Sequence, residues 1–353
     1  MKRLKNLYEQ IYDYRNLYEA YRQARKCKRY RKDVLQFSYN LEENLISLQN
    51  ELIWQTYEVG RYREFIVHDP KKRLIMALPF RDRVVQWSIY MALNNHFDRS
   101  YINTSYACRI GYGSHKAVKR IQYWIRKLDR SSDAVYVLKL DVSKYFYRVD
   151  HAVLMNILNR RINDQHLIDL LKKIICHIDF GLPLTDAGQF TDRISNVGMP
   201  IGNLASQMFA NLYLNELDQY VKHTVKVKYY ARYMDDMLVI GTDKSELRAI
   251  WIDVDNYLSN TLHLNLNNKS CIRSAAQGVE FCGYRIWPTR IKLRKSTALK
   301  MRRNLRGAAK RYRRGEISHD RYNSTVQSYA GLVQLVSGDG LRNIVKLEVH
   351  DAY

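Results

Sequence analysis

The sequence predicts an α+β protein, because segments with helical periodicity alternate with short apolar runs that are typical of strands. Apolar residues recur at helical spacing over residues 1–60. Residues 135–142 have the length and composition of a buried strand, and residues 225–241 favour a β-hairpin. From about residue 296 onward the sequence predicts basic helices. We therefore expect helices at both ends of the chain and strands between them.

The remaining elements follow from the same two patterns. Two strands are expected within residues 61–80, on either side of a charged turn that contains Pro70. Helices are predicted over residues 83–97, 114–128, 151–176, 203–221 and 245–260. Two further strands are predicted near residues 263–272 and 279–287.

The composition indicates a polyanionic partner. The 353 residues include 58 Lys and Arg against 35 Asp and Glu, which gives a formal net charge of +23. Seven basic residues fall within residues 22–32, and twelve fall within residues 290–314 without any acid. Such an excess suits nucleic acid or an acidic membrane surface. The 28 tyrosines favour nucleic acid, since aromatic rings stack on bases, although most of these rings are expected to pack in the core.

The five cysteines are scattered, odd in number and without a C-x-x-C pair, so neither a zinc site nor a disulfide framework is predicted. We expect buried free thiols in a reducing compartment. The N-terminus lacks the apolar stretch of a signal peptide, and no apolar run approaches the ~18 residues of a membrane span. The sequence therefore predicts a soluble cytoplasmic protein with no membrane partner.

Three carboxylates fall where strands end. Asp141 closes the apolar run of residues 135–141, and Asp235 and Asp236 lie at the tip of the predicted hairpin. Charges in apolar surroundings are costly unless they are paired or bind a metal. Carboxylates from neighbouring strand ends can hold two Mg²⁺ ions ~4 Å apart, an arrangement suited to in-line phosphoryl transfer. The alternative is an ordinary turn, in which Asp is common.

The flanking residues favour the catalytic interpretation. Tyr233-Met-Asp-Asp236 and Asp141-Val-Ser-Lys-Tyr-Phe146 resemble two motifs of the reverse transcriptase family. The resemblance implies a right-hand polymerase fold after an N-terminal helical extension at 1–60. It places the fingers at 61–134 with part of 151–200, the palm with its antiparallel sheet at 135–288, and the helical thumb at 289–353. A minimal polymerase of fingers, palm and thumb is expected.

The resemblance also implies the chemistry of the first motif. Asp141, Asp235 and Asp236 would bind two Mg²⁺ ions, or Mn²⁺, and the Val142 carbonyl would assist. The substrates would be deoxynucleoside triphosphates, a template RNA and a cDNA primer. Phe146 would be the steric gate that rejects a ribose 2′-OH. The plain alternative for Tyr145 and Phe146 is core packing, and we expect one of the two to pack.

Further motifs assign further roles by the same resemblance. Lys72 and Arg73 would meet the incoming triphosphate, and Arg109 would lie beside the nucleotide and template. Lys269 would protonate the pyrophosphate leaving group; without the resemblance it would be a surface lysine. The primer grip would consist of Phe281, Gly283 and Tyr284.

The segment Gly198-Met-Pro-Ile201-Gly202-Asn-Leu-Ala-Ser206-Gln207 narrows the resemblance. Many reverse transcriptases, including group II intron enzymes, have Gln-Gly and then Ser-Pro here. Ile-Gly with Ser-Gln is similar to the bacterial or phage enzymes of diversity-generating retroelements, which implies Ile201, Gly202 and Gln207 beside the nucleotide.

Such enzymes copy a template-repeat RNA into cDNA, misincorporate opposite template adenines, and work with a small basic oligomeric accessory protein in the bacterial host cell. Ile201 agrees with this, because it cannot form the hydrogen bond by which a glutamine would fix the templating base. The alternative is that Ile201 packs the start of a helix.

Two other functions remain open. One is a faithful retron-like or group II intron-like reverse transcriptase. The pair Ser206-Gln207 argues against the intron-like form. The other is a catalytically inactive RNA-binding scaffold, which would be expected to lack one of the three carboxylates, whereas all three are present.

Overall fold

The computed structural model describes residues 3–68, 73–177, 194–338 and 340. The chain divides into two compact units. The first unit contains Met1–Cys108, Asp141–Lys226 and Ile252–Asn268, and the second contains Arg109–Leu140, Val227–Trp251 and Lys269–Tyr353.

The elements of the N-terminal half are mostly helical. In chain order they are α1 Tyr8–Tyr12, α2 Tyr14–Ala24, α3 Lys32–Tyr39, α4 Leu41–Ile53, β1 Arg63–Val67, β2 Arg73–Ala77, α5 Phe80–Asp98, α6 Ser114–Asp129, β3 Tyr136–Asp141, α7 Tyr145–Arg148, α8 His151–Arg161 and α9 Gln165–Ile175.

The C-terminal half contains most of the strands. In chain order its elements are α10 Leu204–Gln219, which continues into a π-helical turn at Tyr220–Thr224, β4 Tyr230–Tyr233, β5 Asp236–Gly241, α11 Lys244–Leu262, β6 Cys271–Ser274, β7 Val279–Phe281, β8 Tyr284–Ile286, β9 Ile291–Leu293, α12 Lys295–Arg313 and α13 His319–Val333.

Helix α5 lies in the core of the first unit. Its apolar residues Val84, Ile89 and Leu93 are fully buried, and the helix packs against α2 and α10. The Asn16 side-chain amide donates to the Ser88 hydroxyl at 2.7 Å, so a buried polar group links α2 to α5. Burial of one helix between others supplies most of its stability.

Two sheets belong essentially to the second unit. The larger has the strand order β4-β5-β3-β6, with β4–β5 and β3–β6 antiparallel. The smaller is the antiparallel meander β7-β8-β9. In the first unit β1 and β2 form the predicted hairpin, whose turn at residues 69–72 lies outside the described residues.

Three predicted elements differ from the structure. The strand predicted near 279–287 is the antiparallel pair β7 and β8, because the chain turns between Phe281 and Tyr284. The helix predicted over 151–176 is two helices, because Asp164 caps α9 by accepting from the Leu167 N–H at 3.2 Å. Asp164 also accepts from the N–H groups of Leu7 and Tyr8 at the start of α1. The strand predicted near 263–272 begins only at Cys271. Strand β9 was not predicted, since three residues carry too short a pattern.

The prediction of buried thiols is wrong. Cys27, Cys108 and Cys176 are exposed, and Cys271 and Cys282 are half-buried; all five are free. Cys27, Cys108 and Cys282 have positive φ values, so they occupy turns, which lie at the surface whatever the apolar character of the residue. Within the described ranges, no helix has the length and apolar composition needed to cross a membrane.

A buried carboxylate fixes the connection from α4 to β1. Asp82 is 1% exposed, and its Oδ1 accepts from the Tyr57 hydroxyl at 2.6 Å and from the Gly60 N–H at 3.2 Å. Burial, and then the charge of Asp82, raise the pKa of Tyr57, so its hydroxyl remains a donor. A Cβ on Gly60 would lie 2.6 Å from Asp82 Oδ2, so this turn requires glycine.

We expect Tyr57→Phe to lower the free energy of unfolding by about 1–3 kcal/mol, because the buried carboxylate loses a donor. Urea denaturation followed by circular dichroism measures the change. The control is Tyr39→Phe, since Tyr39 is 90% exposed and its substitution should change stability little. Equal stabilities of the two variants would contradict this role of Asp82.

Candidate active site

The turn between β4 and β5 carries two adjacent carboxylates. Tyr233 pairs with Asp236 across the hairpin, so the turn consists of Met234 and Asp235 alone. Met234 has φ +57°, as tight two-residue hairpin turns require of a central residue. Residues 230–232 and 237–240 are buried, whereas Tyr233, Asp235 and Asp236 are half-buried. The turn therefore presents both carboxylates at the end of an apolar hairpin.

An ion pair fixes the position of Asp236 relative to the neighbouring strand. Lys139 Nζ lies 3.5 Å from Asp236 Oδ1, and Lys139 belongs to β3, which is adjacent to β5 in the sheet. Both side chains are about one-third exposed, so the pair contributes less than ~1 kcal/mol. The ion pair matters for the position of Asp236 more than for stability. Asp141 lies two residues after Lys139, and side chains two residues apart point to the same face of a strand.

The backbone around Asp141 is held within the first unit. The Asp141 carbonyl accepts from the Asn267 N–H at 2.7 Å, and Val142 forms an isolated antiparallel bridge with Leu266. Val142 is buried, whereas Lys269 is exposed. The end of β3 is therefore fixed by hydrogen bonds, independently of its side chains.

The aromatic pair after Asp141 has divided roles, as expected. Tyr145 is 2% exposed, and its hydroxyl donates to the Ala210 carbonyl at 2.6 Å. Phe146 is only half-buried; its ring lies 5.6 Å from that of Tyr145, and its carbonyl accepts from the Met199 N–H at 2.6 Å. Tyr145 is thus the packed residue, and Phe146 keeps a partly exposed ring.

The segment that begins at Gly198 is built into the first unit. The Ile201 carbonyl accepts from the Met76 N–H at 3.2 Å, which joins the segment to β2. Gly202 has φ +118°, and a Cβ there would lie 3.4 Å from Ile75. Full packing at the start of the helix would bury Ile201. The residue is only half-buried, so part of its side chain stays accessible.

Gln207 lies further along this segment, in the first turn of α10. It is exposed, and its side-chain oxygen accepts from Cys108 Sγ at 3.5 Å. Cys108 immediately precedes Arg109 in the chain.

Arg109 stacks on an aromatic ring. Its guanidinium carbon lies 3.9 Å from the ring centre of Tyr112, and Lys116 Nζ lies 4.0 Å from the same centre. Of the predicted triphosphate cations, Arg73 is exposed at the start of β2. Lys72 lies outside the described residues.

The predicted primer grip lies beside the carboxylate turn. Phe281 is 2% exposed, and its ring lies 6.4 Å from that of Tyr233 at an angle of 84°. Burial, and then the charge of Asp236, raise the pKa of the Cys282 thiol. Both observations place the β7–β8 turn next to the β4–β5 turn. The Gly283 carbonyl accepts from the Arg294 N–H at 3.0 Å, just before α12 begins.

Tyr284 connects three elements of the second unit. It is fully buried, its hydroxyl donates to the Leu332 carbonyl of α13 at 2.8 Å, and His115 Nε2 of α6 lies 2.9 Å away. Burial, and then Cys282, raise the pKa of Tyr284 to about 12, which keeps the hydroxyl protonated. Because that hydroxyl donates to Leu332, His115 is the donor in the other bond.

A basic surface lies on α12. Arg306, Lys310, Arg313 and Arg314 line a cavity of about 380 Å³ together with Ala309. Four cations around one cavity suit phosphate groups.

Sequence reasoning missed Lys139, Arg232, Cys282 and His115. Lys139 had a readable signal, since it is the one charged residue inside the apolar run before Asp141. Arg232 likewise interrupts the apolar strand before Tyr233. The contacts of Cys282 and His115 depend on the tertiary fold and left no pattern.

Carboxylates are the ligands that Mg²⁺ prefers, and Asp235 and Asp236 supply two at one turn. Among residues 3–68, 73–177 and 194–338, however, no group of three or more His, Cys, Asp or Glu side chains is gathered as a metal site. The donors therefore have the right chemistry but are not clustered as ligands.

Comparison with known proteins gives a consistent result. Residues 68–286 match the family described as "Reverse transcriptase (RNA-dependent DNA polymerase)". Protein YkfC of Escherichia coli (strain K12) is 27% identical over 276 residues, which cover 68% of this chain and 70% of YkfC. The group II intron-encoded protein LtrA of Lactococcus lactis subsp. cremoris is 25% identical over 152 residues, 43% of this chain and 23% of LtrA.

A likeness of fold alone extends further. The solved structure of apo telomerase from Candida tropicalis aligns with a TM-score of 0.52 at 12% identity, covering 84% of this chain and 62% of that one. The match thus spans most of YkfC, less than two thirds of the telomerase chain and about a quarter of LtrA.

We expect Tyr284→Phe to lower the free energy of unfolding by about 0.5–1.5 kcal/mol, because the Leu332 carbonyl and His115 lose their common partner. Thermal and urea unfolding measure this, with Tyr123→Phe on α6 as the control, since Tyr123 is 54% exposed. If both variants unfolded alike, the connection through Tyr284 would not stabilise the second unit.

Proposed function

Since the chain belongs to the reverse transcriptase family of RNA-dependent DNA polymerases, we propose that it copies a template-repeat RNA into adenine-mutagenised cDNA, by which a target gene is diversified. The family match, with the telomerase likeness, confirms the predicted right-hand polymerase fold. The chemistry rests on one observation above all. The Lys139–Asp236 ion pair positions the turn carboxylates beside the strand that ends in Asp141.

We assign Asp141, Asp235 and Asp236 as the metal-binding carboxylates, with the Val142 carbonyl as a further ligand. Two Mg²⁺ ions, or Mn²⁺, held by these residues would supply the positive charge that in-line phosphoryl transfer needs. The residues themselves bind and orient. Asp141 ends β3, Asp236 begins the neighbouring strand β5, and Asp235 lies in the turn before it; each is half-buried and so remains accessible.

Lys269 is assigned as the proton donor to the pyrophosphate. Two backbone pairings bracket it, since Lys139 pairs with Cys271 and Val142 bridges Leu266. Residues 267–270 therefore form a bulge between these pairings, opposite the end of β3. The exposure of Lys269 on that bulge supports the assignment.

We assign Phe146, Arg73, Lys72 and Arg109 to nucleotide binding. We assign Phe146 as the steric gate, and its half-buried ring supports this, since Tyr145 takes the packing role. Arg73, with Lys72, would offset the triphosphate charge. Arg109 has its guanidinium stacked on Tyr112, and this orients its hydrogen-bond donors.

Contacts to the primer and product involve the second unit. Phe281, Gly283 and Tyr284 form the turn that we assign as the primer grip, and its position beside the carboxylate turn supports this. The four cations of the α12 cavity would bind duplex phosphates.

The diversity-generating subclass rests on Ile201, Gly202 and Gln207. Gly202 adopts a conformation that side chains disfavour, and the exposed Gln207 is available to a ligand. The half-buried Ile201 offers an apolar surface and no side-chain hydrogen bond. A template base next to it is positioned less strictly, which reduces discrimination between nucleotides. A basic oligomeric accessory protein is the proposed partner.

The second candidate is a faithful intron-like or retron-like reverse transcriptase. The identity with LtrA, which is described as a group II intron-encoded protein, favours it. The two candidates share the polymerase chemistry and differ in the accuracy of the cDNA.

We expect Asp235→Ala and Asp236→Ala each to lower primer extension on an RNA template by about 10³-fold or more, because each removes a ligand worth several kcal/mol in the transition state. RNA binding should be largely retained. Asp255→Ala on α11 is the matched control, since Asp255 is an exposed carboxylate. Unchanged cDNA synthesis in both turn variants would refute the catalytic assignment.

We expect cDNA made on the template-repeat RNA, with the accessory protein present, to carry substitutions concentrated at template adenines. Ile201→Gln should lower their frequency by roughly tenfold, or about 1.4 kcal/mol of discrimination, because a glutamine amide restores a hydrogen bond. Deep sequencing of the cDNA measures this, with Ile252→Gln as the control because Ile252 is 61% exposed. Uniformly faithful cDNA from the wild type would favour the second candidate.

A further inference from the structure

Arg232 is a fully buried cation at the base of the carboxylate turn. It lies in β4, one residue before Tyr233, and has 0% exposure. Within the part of the chain that the structure describes, it is the largest fully buried side chain. Burying a guanidinium is costly, and apolar residues of similar volume often stabilise a core better. An arginine at this position therefore calls for a reason beyond packing.

A hydrogen bond from Arg232 to the turn supplies one such reason. Its Nη1 donates to the Met234 carbonyl at 3.1 Å. That carbonyl belongs to the peptide group that joins Met234 to Asp235. The guanidinium thus binds the backbone of the turn from its buried side.

The backbone at this point needs support. Met234 has φ +57°, a conformation that costs energy for any residue with a side chain. Glycine is the usual residue where a two-residue turn demands a positive φ at its first position. A charge-assisted hydrogen bond to the carbonyl of the strained residue offsets this cost. Arginine holds such a carbonyl better than lysine, since its planar group has donors in fixed directions.

We propose that Arg232 is a positioning residue for the catalytic carboxylates, which it orients by holding the Met234–Asp235 peptide in its left-handed turn. The proposal rests on the proposed catalytic role of Asp235 and Asp236. Arg232 touches the turn backbone, so it acts through the carboxylates and not on the reacting atoms. A rotation of this peptide would redirect Asp235 at once and would loosen the Tyr233–Asp236 pair.

The competing interpretation is that Arg232 only stabilises the hairpin. The test compares Arg232→Met, which removes all donors, and Arg232→Lys, which retains the charge, with the control Val239→Ala. Val239 is 1% exposed in β5 and pairs with Tyr230, at the other end of the hairpin from the turn. The control therefore removes buried contacts from the same hairpin without touching the Met234 peptide.

Four measurements are made on the full chain. Amide hydrogen exchange reports the opening of residues 234–236. Electron paramagnetic resonance of added Mn²⁺ gives its dissociation constant. Primer extension gives kcat and the KM for deoxynucleotides, and the melting temperature records stability.

We expect Arg232→Met to speed exchange at the turn, to weaken Mn²⁺ binding by about tenfold, and to lower kcat by about 10²-fold with little change in KM. Arg232→Lys should fall between Arg232→Met and the wild type. Val239→Ala should lower the melting temperature only. If Arg232→Met matched Val239→Ala in turn exchange and in Mn²⁺ binding at equal loss of stability, the proposal would be overturned.

A second comparison remains informative if Arg232→Met does not fold. Met234→Gly relieves the backbone strain, so the loss caused by Arg232→Lys should be smaller in the glycine background than in the wild type. Equal losses in both backgrounds would contradict the proposal. Amide hydrogen exchange at the turn tests the role of Arg232 even if the wild type makes no cDNA. The absence of cDNA would instead refute the proposed function.

Discussion

The candidate site depends on one constraint, which is that the chain must reverse direction within two residues between β4 and β5. Apart from Arg232, the buried residues of both strands are apolar, and the two carboxylates lie where the hairpin leaves the core, since unpaired charges are costly inside it. Pairing of Tyr233 with Asp236 allows no longer loop, and Met234 accepts a left-handed conformation as the consequence. The two carboxylates are thereby displayed at a fixed edge of the sheet, which a flexible loop could not achieve.

Strand β3 connects this turn to the other residues of the candidate site. It has β5 on one side and β6 on the other, so a single strand lies between the turn carboxylates and the segment that carries Lys269. Lys139, on β3, reduces the repulsion between the adjacent acids Asp235 and Asp236, since its ammonium lies beside the second of them. The strand pairing of the sheet thus fixes the backbone of the site, and the side-chain charges adjust the positions of its carboxylates.

Much of this arrangement could be predicted from the sequence, and the remainder has identifiable physical reasons. The hairpin with Asp235 and Asp236 was predictable because apolar strands around two acids form a strong local pattern. The start of β6 was placed too early, since the bulge before Cys271 arises from pairing with β3 and not from local preference. Likewise, the sequence predicted that one of Tyr145 and Phe146 packs in the core, but not which of the two. The position of Ala210, whose carbonyl receives the Tyr145 hydroxyl, decides it.

Firmly held carboxylates are compatible with the proposed errors at adenine, and selective errors of this kind depend on them. Fidelity is a difference between the transition-state energies of right and wrong nucleotides. Loosening the carboxylates would slow both reactions alike, and so would reduce the rate without changing the discrimination. An enzyme that errs selectively must therefore hold its carboxylates firmly and relax only the surface that meets the template base. The buried Arg232 and the half-buried Ile201 fit these opposite demands, since one binds the backbone of a turn and the other offers no side-chain hydrogen bond.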